Sequence, residues 1–519
     1  MGCFVGSNVD EPQQSPGQGG PGYQGGQGGP GGPHGPGGQG GGPHGPGGQG
    51  GGPHGPGGQG GGPHGPGGQG GPQGNSEQTF DTLESMGVKV PQILLPKEMD
   101  MKTWATIACD QFTQDKDYWT KVSEIVGDKP STLKIIFPEV YLGDNDRKDR
   151  IKNIHEQMNK YVSEGVFADP VEEMVYVERT TKYKRVRHGL VTCIDLDTYE
   201  WQPFNKALIR ATEATIVERI PPRKEIRKEA IIETPHIMLL VNDPKMLLVE
   251  GVGKRVSKNK TIYDGELMQD SGSIKGWAVK ESADIDYVKT SLQTLAKDSK
   301  QDDGSVFLFA VGDGNHSLAT AKATWEEYRK KKKVKDSLLR YALIEIVNIY
   351  DSGLTFEPIH RVLFKVDPKE LIEFLTNKLN GKTKTVESFD ELKKNVENSK
   401  SNFGFINTKD GKTEFNLLET EINQLPISAL QPAIDEFMKK KKVKKEDIDF
   451  IHGSDEVLRL GSQDGNISIF LPPINKDSFF TTIGVKGPLP RKSFSMGEAD
   501  EKRFYVECRR ILEDDKEKK

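Results

Sequence analysis

Apolar residues gather into short runs and helical stripes only after residue 75. The run at 306–311 predicts a buried strand, because four of its six residues are β-branched or aromatic. Apolar side chains at 318–328 then recur three or four positions apart, which predicts an amphipathic helix. The turn between them, residues 312–316, reads Gly-Asp-Gly-Asn-His. A carboxylate, an amide and an imidazole therefore share one strand-to-helix corner.

The same patterns predict elements along the rest of the chain. Because helices and strands mix without regular alternation, we predict a mixed-sheet α/β or an α+β fold. Helices are predicted at 117–126, 369–380 and 392–397, and a further long helix has Ile151, Ile154, Met158 and Tyr161 on one face. Strands are predicted at 90–96, 104–111, 133–138, 185–195, 236–241, 340–349, 448–454 and 479–485.

Composition and pattern divide the chain into four parts. We predict a disordered low-complexity tail at 1–75, an N-terminal α/β part at 76–245, a central part with the corner at 246–370 and a C-terminal part at 371–519. A Gly- and Pro-rich decapeptide recurs in the tail, with one histidine in each copy at His34, His44, His54 and His64. Such a segment has little to bury, which predicts a flexible tether. The histidines could bind a transition metal weakly, but no second ligand type accompanies them, which favours a solvated spacer.

The first seven residues, Met-Gly-Cys-Phe-Val-Gly-Ser, match a lipidation signal in part. Removal of the methionine would expose Gly2 for myristoylation, and Cys3 beside it would be open to palmitoylation. The stricter pattern has serine or threonine where this chain has Gly6, and Ser7 stands one place late. Two acyl chains anchor a protein stably where one does not. Two predictions stay open: a cytoplasmic protein, and one held at a membrane surface through Gly2 and Cys3.

Charge and cysteine content exclude several classes of protein. The formal charge is -5, from 71 basic and 76 acidic residues, so no global charge attracts nucleic acid. The four cysteines show no CxxC pair and no zinc-type spacing, which predicts a reducing compartment and neither a disulfide scaffold nor a structural zinc site. No apolar run reaches the length of a membrane span, and no secretory signal opens the chain. We therefore expect an intracellular protein.

The corner at 312–316 supports two interpretations. In the first, Asp313 or Asn315 only caps the helix, and His316 is a polar residue of its first turn. In the second, Gly312 and Gly314 allow positive φ angles and close backbone approach, so the first amides of the helix can bind an anion such as phosphate. The positive end of the helix would then keep His316 neutral and usable as a base or a ligand.

Charged residues in two other segments offer partners for such a site. Segment 209–227 holds four arginines, and a helix opening at its prolines would place Arg223 and Arg227 on one face, near Glu225 or Glu229 for ion pairs. We interpret Arg210 in the same segment as a fork for a carboxylate or phosphate. Glu345 interrupts an apolar strand, and a carboxylate there must either meet an arginine or line a site.

Separated blocks between residues 91 and 511 resemble one family. Their order and number identify the chain as similar to family 1015 of the domains of unknown function, which is largely prokaryotic. This resemblance implies a family and no established activity. The blocks that carry it are 104–111, 130–133, 138–141, 212–215, 235–238, 312–316, 356–360 and 490–493.

A fainter resemblance concerns the corner alone. Asp-Gly-x-His-Arg turns between a strand and a helix occur in the ParB and sulfiredoxin superfamily, which includes nucleotide-binding proteins and a free serine kinase. The similar residues here are Asp313, Gly314 and His316, with Ser317 at the arginine position. The resemblance implies a turn that binds phosphates and supplies polar catalytic groups. Because the arginine is missing, a cation such as Arg210, Arg361 or Lys492 would have to replace it.

Two functions from different classes follow. The first is an enzyme that binds a nucleotide, with magnesium, or another phosphorylated small molecule at the corner. The folded part has no Walker A or GxGxxG sequence, so a standard P-loop or Rossmann site is excluded. The second is a non-catalytic ligand-binding or adaptor protein tethered to a membrane by N-terminal acylation. The residues assigned to the enzyme are Asp313, His316 and Glu213 for catalysis, and Gly312, Gly314, Asn315, Arg210, Thr212, Arg361, Arg491, Lys492 and Ser493 for ligand binding. Asp313 would hold a magnesium ion or a substrate hydroxyl, and His316 or Glu213 would move a proton.

Overall fold

Amphipathic stripes in the sequence become the buried faces of the helices. The computed structural model describes residues 79–512. The four apolar residues predicted to share one face of a long helix, Ile151, Ile154, Met158 and Tyr161, are all buried in α3. The α-helices are α1 (Met101–Trp104), α2 (Lys116–Val126), α3 (Arg147–Ser163), α4 (Ile220–Arg227), α5 (Val249–Val256), α6 (Ser282–Asp298), α7 (Asn315–Lys332), α8 (Pro368–Lys378), α9 (Phe389–Glu397), α10 (Ile427–Lys441), α11 (Ser454–Gly461) and α12 (Lys476–Lys486).

The strands are short at the two ends of the described chain and longer in its middle. Those up to residue 348 are β1 (Val88–Lys89), β2 (Gln92–Ile93), β3 (Thr106–Ile107), β4 (Val171–Glu172), β5 (Met174–Thr180), β6 (Val186–Asp195), β7 (Tyr199–Glu200), β8 (Ile209–Ala211), β9 (Ile232–Glu233), β10 (Ile237–Val241), β11 (Tyr263–Glu266), β12 (Ser273–Val279), β13 (Phe309–Asp313) and β14 (Tyr341–Asn348). The later ones are β15 (Phe356–Pro358), β16 (His360–Phe364), β17 (Lys382–Val386), β18 (Phe403–Lys409), β19 (Lys412–Glu419), β20 (Ile448–Ile451), β21 (Asn466–Phe470), β22 (Phe494–Met496), β23 (Phe504–Tyr505) and β24 (Arg509–Arg510).

Ten of the strands up to residue 348 form one mixed sheet. Its order is β11-β12-β5-β6-β14-β10-β13-β8-β7, and β1 also pairs with β6. All eight residues of β14 are buried, as its nearly continuous apolar sequence requires of a strand covered on both faces. The sheet takes strands from both sides of residue 245. This mixture of helices with a mixed sheet confirms the predicted fold class.

The strand register places the corner beside segment 212–213. β13 runs parallel to β8, with Val311 opposite Ala211. Parallel strands end at the same edge of a sheet, so the residues that follow Ala211 emerge next to those that follow Val311. On its other side β13 is antiparallel to β10, where Asp313 pairs with Met238 across a bulge. Three chain segments therefore converge at one edge.

A second sheet has six antiparallel strands in the order β17-β19-β18-β21-β16-β20. One hydrophobic cluster joins residues of this sheet, such as Leu363 and Phe405, to Leu240 and Ala310 of the large sheet. Burial of such side chains stabilises a fold by about 25 cal/mol per Å² of apolar surface removed from water. The shared cluster fixes the second sheet against the strands that carry the corner.

The last described residues run through the interior. β23 pairs with β3, and β24 pairs with β9. Arg503 donates to the buried carboxylate of Glu345 at 2.8 Å, which gives that carboxylate the partner its burial demands. Of the two interpretations of Glu345, the arginine partner is therefore the one that the structure supports.

Several predicted elements are confirmed, two are wrong and one is right only in part. The strands expected at 185–195, 236–241 and 340–349 are present as β6, β10 and β14. Segment 133–138 is no strand, because a 3-10 helix spans Thr132–Ile135, and segment 479–485 lies inside α12. Segment 104–111 is a strand only at β3, since α1 ends at Trp104.

Candidate functional site

The corner joins β13 to α7 through Gly314, whose φ of 83° lies in the left-handed region. The prediction that Asp313 or Asn315 caps α7 is wrong, because Gly314 holds the cap position and no side chain caps the helix. One carboxylate oxygen of Asp313 instead accepts the amide of Gly314 at 2.9 Å. The first turn of α7 therefore keeps backbone donors that no side chain of residues 79–512 covers.

Both glycines of the corner are required, for different reasons. Gly314 needs its positive φ, and a Cβ there would also lie 3.1 Å from the imidazole of His236. Gly312 has no positive φ, but a Cβ on it would lie 2.6 Å from the sulfur of Met496 and 2.8 Å from Leu240. Neighbouring residues therefore pack closely against the backbone at both positions, and the predicted positive φ occurs only at Gly314.

Asn315 ties the helix to the neighbouring strand. Its side-chain oxygen accepts from the amide of Thr212 at 3.2 Å, and its side-chain nitrogen donates to the Thr212 hydroxyl at 3.3 Å. That hydroxyl donates in turn to the carbonyl oxygen of Val311 at 2.5 Å. These bonds hold residues 212–213 against the corner. The corner at 312–316 and segment 209–227, both of which were predicted to carry polar site residues, therefore meet.

Glu213 lies where residues 212–213 meet the corner, a place that we call the junction, and its pKa is shifted. It accepts the amide of Ser493 at 3.4 Å, and its backbone bridges to Leu489. Burial, reinforced by the neighbouring Asp313 carboxylate, raises the pKa of Glu213 to about 7, although the Ser493 amide, Lys502 and Arg361 oppose the shift. A carboxyl group with this pKa exchanges its proton near neutral pH.

Lys502 completes the junction from the far end of the chain. Its ammonium group lies 3.2 Å from Asp313, with the two side chains 10% and 25% exposed. The same cation also lowers the pKa values of Glu213 and Asp110. Lys502 could not be predicted as a site residue, because no motif or spacing marks a lysine that is 189 residues from its partner.

His316 is held in one tautomer. Its Nε2 accepts the amide of Ile216 at 3.2 Å, so the ring proton must sit on Nδ1. Burial, together with the nearby Arg223 and Arg219, lowers the pKa of His316 to about 4. The predicted neutral imidazole is thus supported, and its physical cause is burial together with nearby cations.

Segment 490–493 supplies cations on the other side of the junction. Arg491 is exposed, and its charge lowers the pKa of His316, so it lies near the first turn of α7. Lys492 is partly buried, lies 5.2 Å from the ring centre of Phe450 and has its pKa lowered by burial, against the opposing charge of Asp449. Ser493 is buried, and its hydroxyl donates to the carbonyl oxygen of Pro490 at 2.5 Å. Its amide, and not its hydroxyl, reaches Glu213.

The other two predicted site arginines lie in different places. Arg361 is fully buried, donates to Gln431 at 2.9 Å and lowers the pKa of Glu213 through its charge. Arg210 lies apart: it donates to Ala207 and Ser305, and its guanidinium packs over the ring of Phe307. The structure therefore brings Arg361 to the junction and does not bring Arg210 there.

A pair of ionisable residues borders the corner and was not assigned from the sequence. His236 Nε2 lies 3.4 Å from Asp110, and the backbone around Gly314 packs against the imidazole ring of His236. Burial favours a protonated Asp110, but His236 outweighs it and holds the pKa of Asp110 well below its usual range. Both residues fall within the blocks at 104–111 and 235–238, and that coincidence was the available signal.

Arginines of α4 pair with other carboxylates than the sequence suggested. Arg223 lies 2.6 Å from Glu139, and Arg227 lies 2.6 Å from Glu233. The expectation of structural ion pairs holds, but the expected partners at 225 and 229 are wrong. Because Glu139 also feels the charges of Asp110 and His236, Arg223 links α4 to the same site.

Other predictions concern the N-terminal tail, membrane spans and metal sites. Gly2, Cys3 and the histidine-bearing tail are outside the described range 79–512. Within that range, no helix is long and apolar enough to cross a membrane. The described side chains also include no group of three or more His, Cys, Asp or Glu that could hold a metal ion.

Comparison with solved structures gives distant likenesses. A free serine kinase variant in complex with ADP is 11% identical, over 62% of this chain and 92% of that one, with a TM-score of 0.32. A conserved hypothetical protein from Pyrococcus furiosus is 12% identical, over 62% and 95%, with a TM-score of 0.30. SbnI with a C-terminal truncation, from Staphylococcus aureus, is 8% identical, over 59% and 83%, with a TM-score of 0.30. Likenesses this distant carry no argument about activity.

Sequence families give a firmer result. No curated protein matches the chain significantly. One family model does, over residues 92–437, which is most of the part described by the structure. Its description is protein of unknown function, in agreement with the resemblance seen in the sequence blocks. The chain therefore belongs to the DUF1015 family.

Proposed function

We propose that the corner is the active site of an enzyme that binds a nucleotide or another phosphorylated small molecule. The observation that carries this proposal is the meeting of Glu213, Asp313 and Lys502 beside the uncapped start of α7. The three residues come from distant parts of the chain. Burying a cluster of ionisable side chains costs free energy, and such clusters are commonly part of a functional site.

The helix start and the surrounding cations suit a phosphate group. The amides of the first turn of α7 and the helix dipole both favour an anion. Arg491 and Arg223 face His316 in that turn, and Arg491 has no ion-pair partner among residues 79–512. Phosphate would therefore lie between these cations and the helix start, as the sequence predicted for Arg491.

Proton transfer falls to Glu213 and not to His316. The lone pair of His316 Nε2 already accepts a backbone amide, so the imidazole would serve as a donor from Nδ1. Glu213 has its pKa raised to about 7 and can accept a proton from a substrate hydroxyl at neutral pH. Lys502, paired with Asp313, would compensate the negative charge that develops on the reacting group.

Magnesium, if it accompanies a nucleotide, would arrive as part of the ligand. Both oxygens of Asp313 already have partners, the Gly314 amide and Lys502. No described cluster of acids or imidazoles replaces them as a metal site. The protein's own contribution is therefore to orient the phosphorylated ligand and move the proton.

Thermal unfolding with ligands tests the proposal. The full chain is heated with ADP or ATP plus magnesium, and separately with inorganic phosphate. A ligand at about 100 times its Kd should stabilise the fold by about 2.7 kcal/mol, which corresponds to a rise of a few degrees in Tm. Asp313→Ala should abolish the rise. Asp303→Ala, an exposed residue in the turn before β13 that pairs with Lys206, should keep it.

Turnover is tested with Glu213→Gln. This variant should still show the ligand-induced rise in Tm, because the phosphate contacts remain, while it loses consumption of the nucleotide in the presence of a mixture of small hydroxyl compounds. No shift with ADP, ATP or phosphate in the unsubstituted protein would contradict the proposal. A shift that Asp313→Ala leaves intact would place binding elsewhere.

A further inference from the structure

The loop that joins β7 to β8 presents an aromatic ring to solvent. Phe204 is 73% exposed, the largest exposure of any bulky apolar side chain among residues 79–512, and no side chain in that range stacks on its ring. One exposed apolar residue is ordinary on a protein surface. Phe204 also has a φ of 58°, however, and a bulky residue in the left-handed region is strained in a way that is common at functional sites.

The loop is held by its own hydrogen bonds, so the exposure of Phe204 does not come from a disordered chain. The side-chain nitrogen of Asn205 donates to the carbonyl oxygens of Glu200 at 3.3 Å and Gln202 at 2.5 Å. Its side-chain oxygen accepts the amide of Ala207 at 3.0 Å. These bonds fix the residues on both sides of Phe204 in a compact turn, with the aromatic ring left outside it.

Strand direction places the start of this loop at the edge of the sheet that carries the corner. β7 runs parallel to β8, with Glu200 opposite Arg210. Parallel strands end at the same edge of a sheet. The residues that follow Glu200 therefore leave the sheet where Thr212 and Glu213 do.

The chain after α12 connects the ring to the start of α7. A Cβ on Gly487 would lie 3.6 Å from the ring of Phe204, so the ring lies beside this residue. Two residues later, the amide of Leu489 donates to the carbonyl oxygen of Thr212 at 2.7 Å. Two residues further on, Arg491 lies near the first turn of α7. Four residue steps of extended chain span at most about 14 Å, so the backbone beside the ring and that of Arg491 are no further apart than this.

Charge distinguishes the two ends of this path. The loop at 201–207 has one charged residue, Lys206, and its ammonium group lies 3.1 Å from Asp303. Cations without such a neighbour in the loop stand at the other end, at Arg491 and Lys492. An anion is therefore favoured at the end near α7, and an uncharged flat group at the end near the ring.

We propose that the base of a nucleotide stacks on Phe204 while its phosphates bind at the start of α7. This inference rests on the proposed function and narrows the ligand to a nucleotide, because a phosphorylated compound without a base would leave the ring unused. Every base has a π face, so an aromatic side chain binds it without matched hydrogen bonds. Val485, which is 62% exposed and two residues before Gly487, adds an apolar surface in the same segment.

Calorimetric titration with two probes tests the proposal. ADP carries a base, and inorganic pyrophosphate carries two linked phosphates without one; each is titrated with magnesium into the full chain. ADP should bind more tightly than pyrophosphate. Phe204→Ala should raise the Kd of ADP about 5- to 150-fold, the range expected for loss of one stacked base, and should leave the Kd of pyrophosphate unchanged.

Two further variants serve as controls. Tyr183→Ala removes another exposed aromatic ring, 44% exposed in the turn between β5 and β6, and should leave the Kd of ADP unchanged. Phe204→Trp keeps an aromatic face and should keep ADP binding. Because Phe204 is mostly exposed, Phe204→Ala should unfold at the same temperature as the unsubstituted protein, so that a loss of affinity reflects the missing ring.

The outcomes separate this inference from the proposed function. If ADP and pyrophosphate both bind, but ADP binds no more tightly or Phe204→Ala leaves its Kd unchanged, the stacking assignment is wrong and phosphate binding at the corner stands. The exposed ring would then serve another contact, such as a protein partner. If neither probe binds, the proposed function fails and this inference fails with it.

Discussion

The raised pKa of Glu213 should make the stability of the fold depend on pH. Its carboxyl is neutralised near pH 7 because it is buried beside a second carboxylate, Asp313. The folded chain therefore binds this proton at a higher pH than the unfolded chain, in which a glutamate titrates near 4.5. Between these two values the folded state binds more protons, so stability falls as the pH rises.

Replacement of Glu213 by glutamine should remove this pH dependence. At pH 8, Glu213→Gln should be more stable than the unsubstituted protein by about 2 to 3 kcal/mol, and near pH 4 the two should unfold alike. Urea unfolding at both pH values measures the difference. Glu326→Gln, on an exposed position of α7, should show no such change with pH. A gain of the same size at both values would contradict the assigned charge state.

The pair of Asp313 and Lys502 should be coupled energetically. Lys502→Met leaves the carboxylate of Asp313 without its cation, and we expect a loss of about 1 to 3 kcal/mol in the free energy of unfolding. In the double variant Asp313→Asn with Lys502→Met, the loss should fall short of the sum of the single losses by about 1 kcal/mol. Urea unfolding of the four proteins measures this; additive losses would show that the two side chains do not interact.

At the scale of elements, the corner depends on a backbone conformation that only glycine adopts readily. Gly314 and Gly304 have nearly the same φ, 83° and 81°, but a Cβ would find open space only at Gly304. The two positions therefore separate the cost of the left-handed conformation from the cost of crowding. Crowding at Gly314 would act on His236 and on Ile237 of β10.

Alanine substitutions at these two glycines should differ. Gly304→Ala should cost about 1 to 2 kcal/mol, the conformational penalty alone. Gly314→Ala should cost at least about 1 kcal/mol more, because β10 must shift. Thermal or urea unfolding compares them, and equal losses would argue against tight packing at the corner.

Long, strongly patterned elements could be predicted from the sequence, and short or unusually composed ones could not. β14 and α3 carry a nearly continuous apolar run and a clear helical stripe, respectively, and both were predicted. α12 was mistaken for a strand because residues 479–485 are rich in aromatic and β-branched side chains. Its start signal was present but unused: Asn475 caps the helix by accepting the amide of Asp477.

The candidate site was predictable only where its residues are neighbours in the sequence. Turn chemistry pointed to Asp313 and His316, and parallel pairing of β8 with β13 brings Glu213 to them, as expected. Lys502 could not be found, because its position depends on the path of the whole chain. Arg210 shows the converse error, since its place on a strand that ends at the site does not decide which way its side chain points.

On the scale of the whole molecule, the last described segment forms ion pairs with residues from distant parts of the chain. Residues 499–512 are largely buried and supply Arg503 to Glu345, Arg509 to Glu233 and Lys502 to Asp313. All three lie beyond residue 437, where the family match ends. Loss of one partner from a buried ion pair costs about 3 to 5 kcal/mol, and loss of several exceeds the stability of most domains.

Truncation should therefore have a sharp threshold. A chain that ends at residue 498 should fail to fold, because Glu345 and Glu233 would be buried without arginines. One that ends at residue 512 keeps every described residue and should unfold at the same temperature as the full chain. Circular dichroism and thermal unfolding of the two chains distinguish these outcomes. Cooperative unfolding of the shorter chain would show that the C-terminal segment is dispensable.

The position of Lys502 and Tyr505 has a consequence for biosynthesis. Lys502 follows its partner Asp313 by 189 residues, and Tyr505 follows Cys109, whose amide donates to its hydroxyl, by 396 residues. A ribosome builds a protein from its N-terminus, so the nascent polypeptide holds Cys109 and Glu213 long before their C-terminal partners exist. Neither the ion pair between Asp313 and Lys502 nor the hydrogen bond between the Cys109 amide and Tyr505 can therefore form until residues 502–505 have been made.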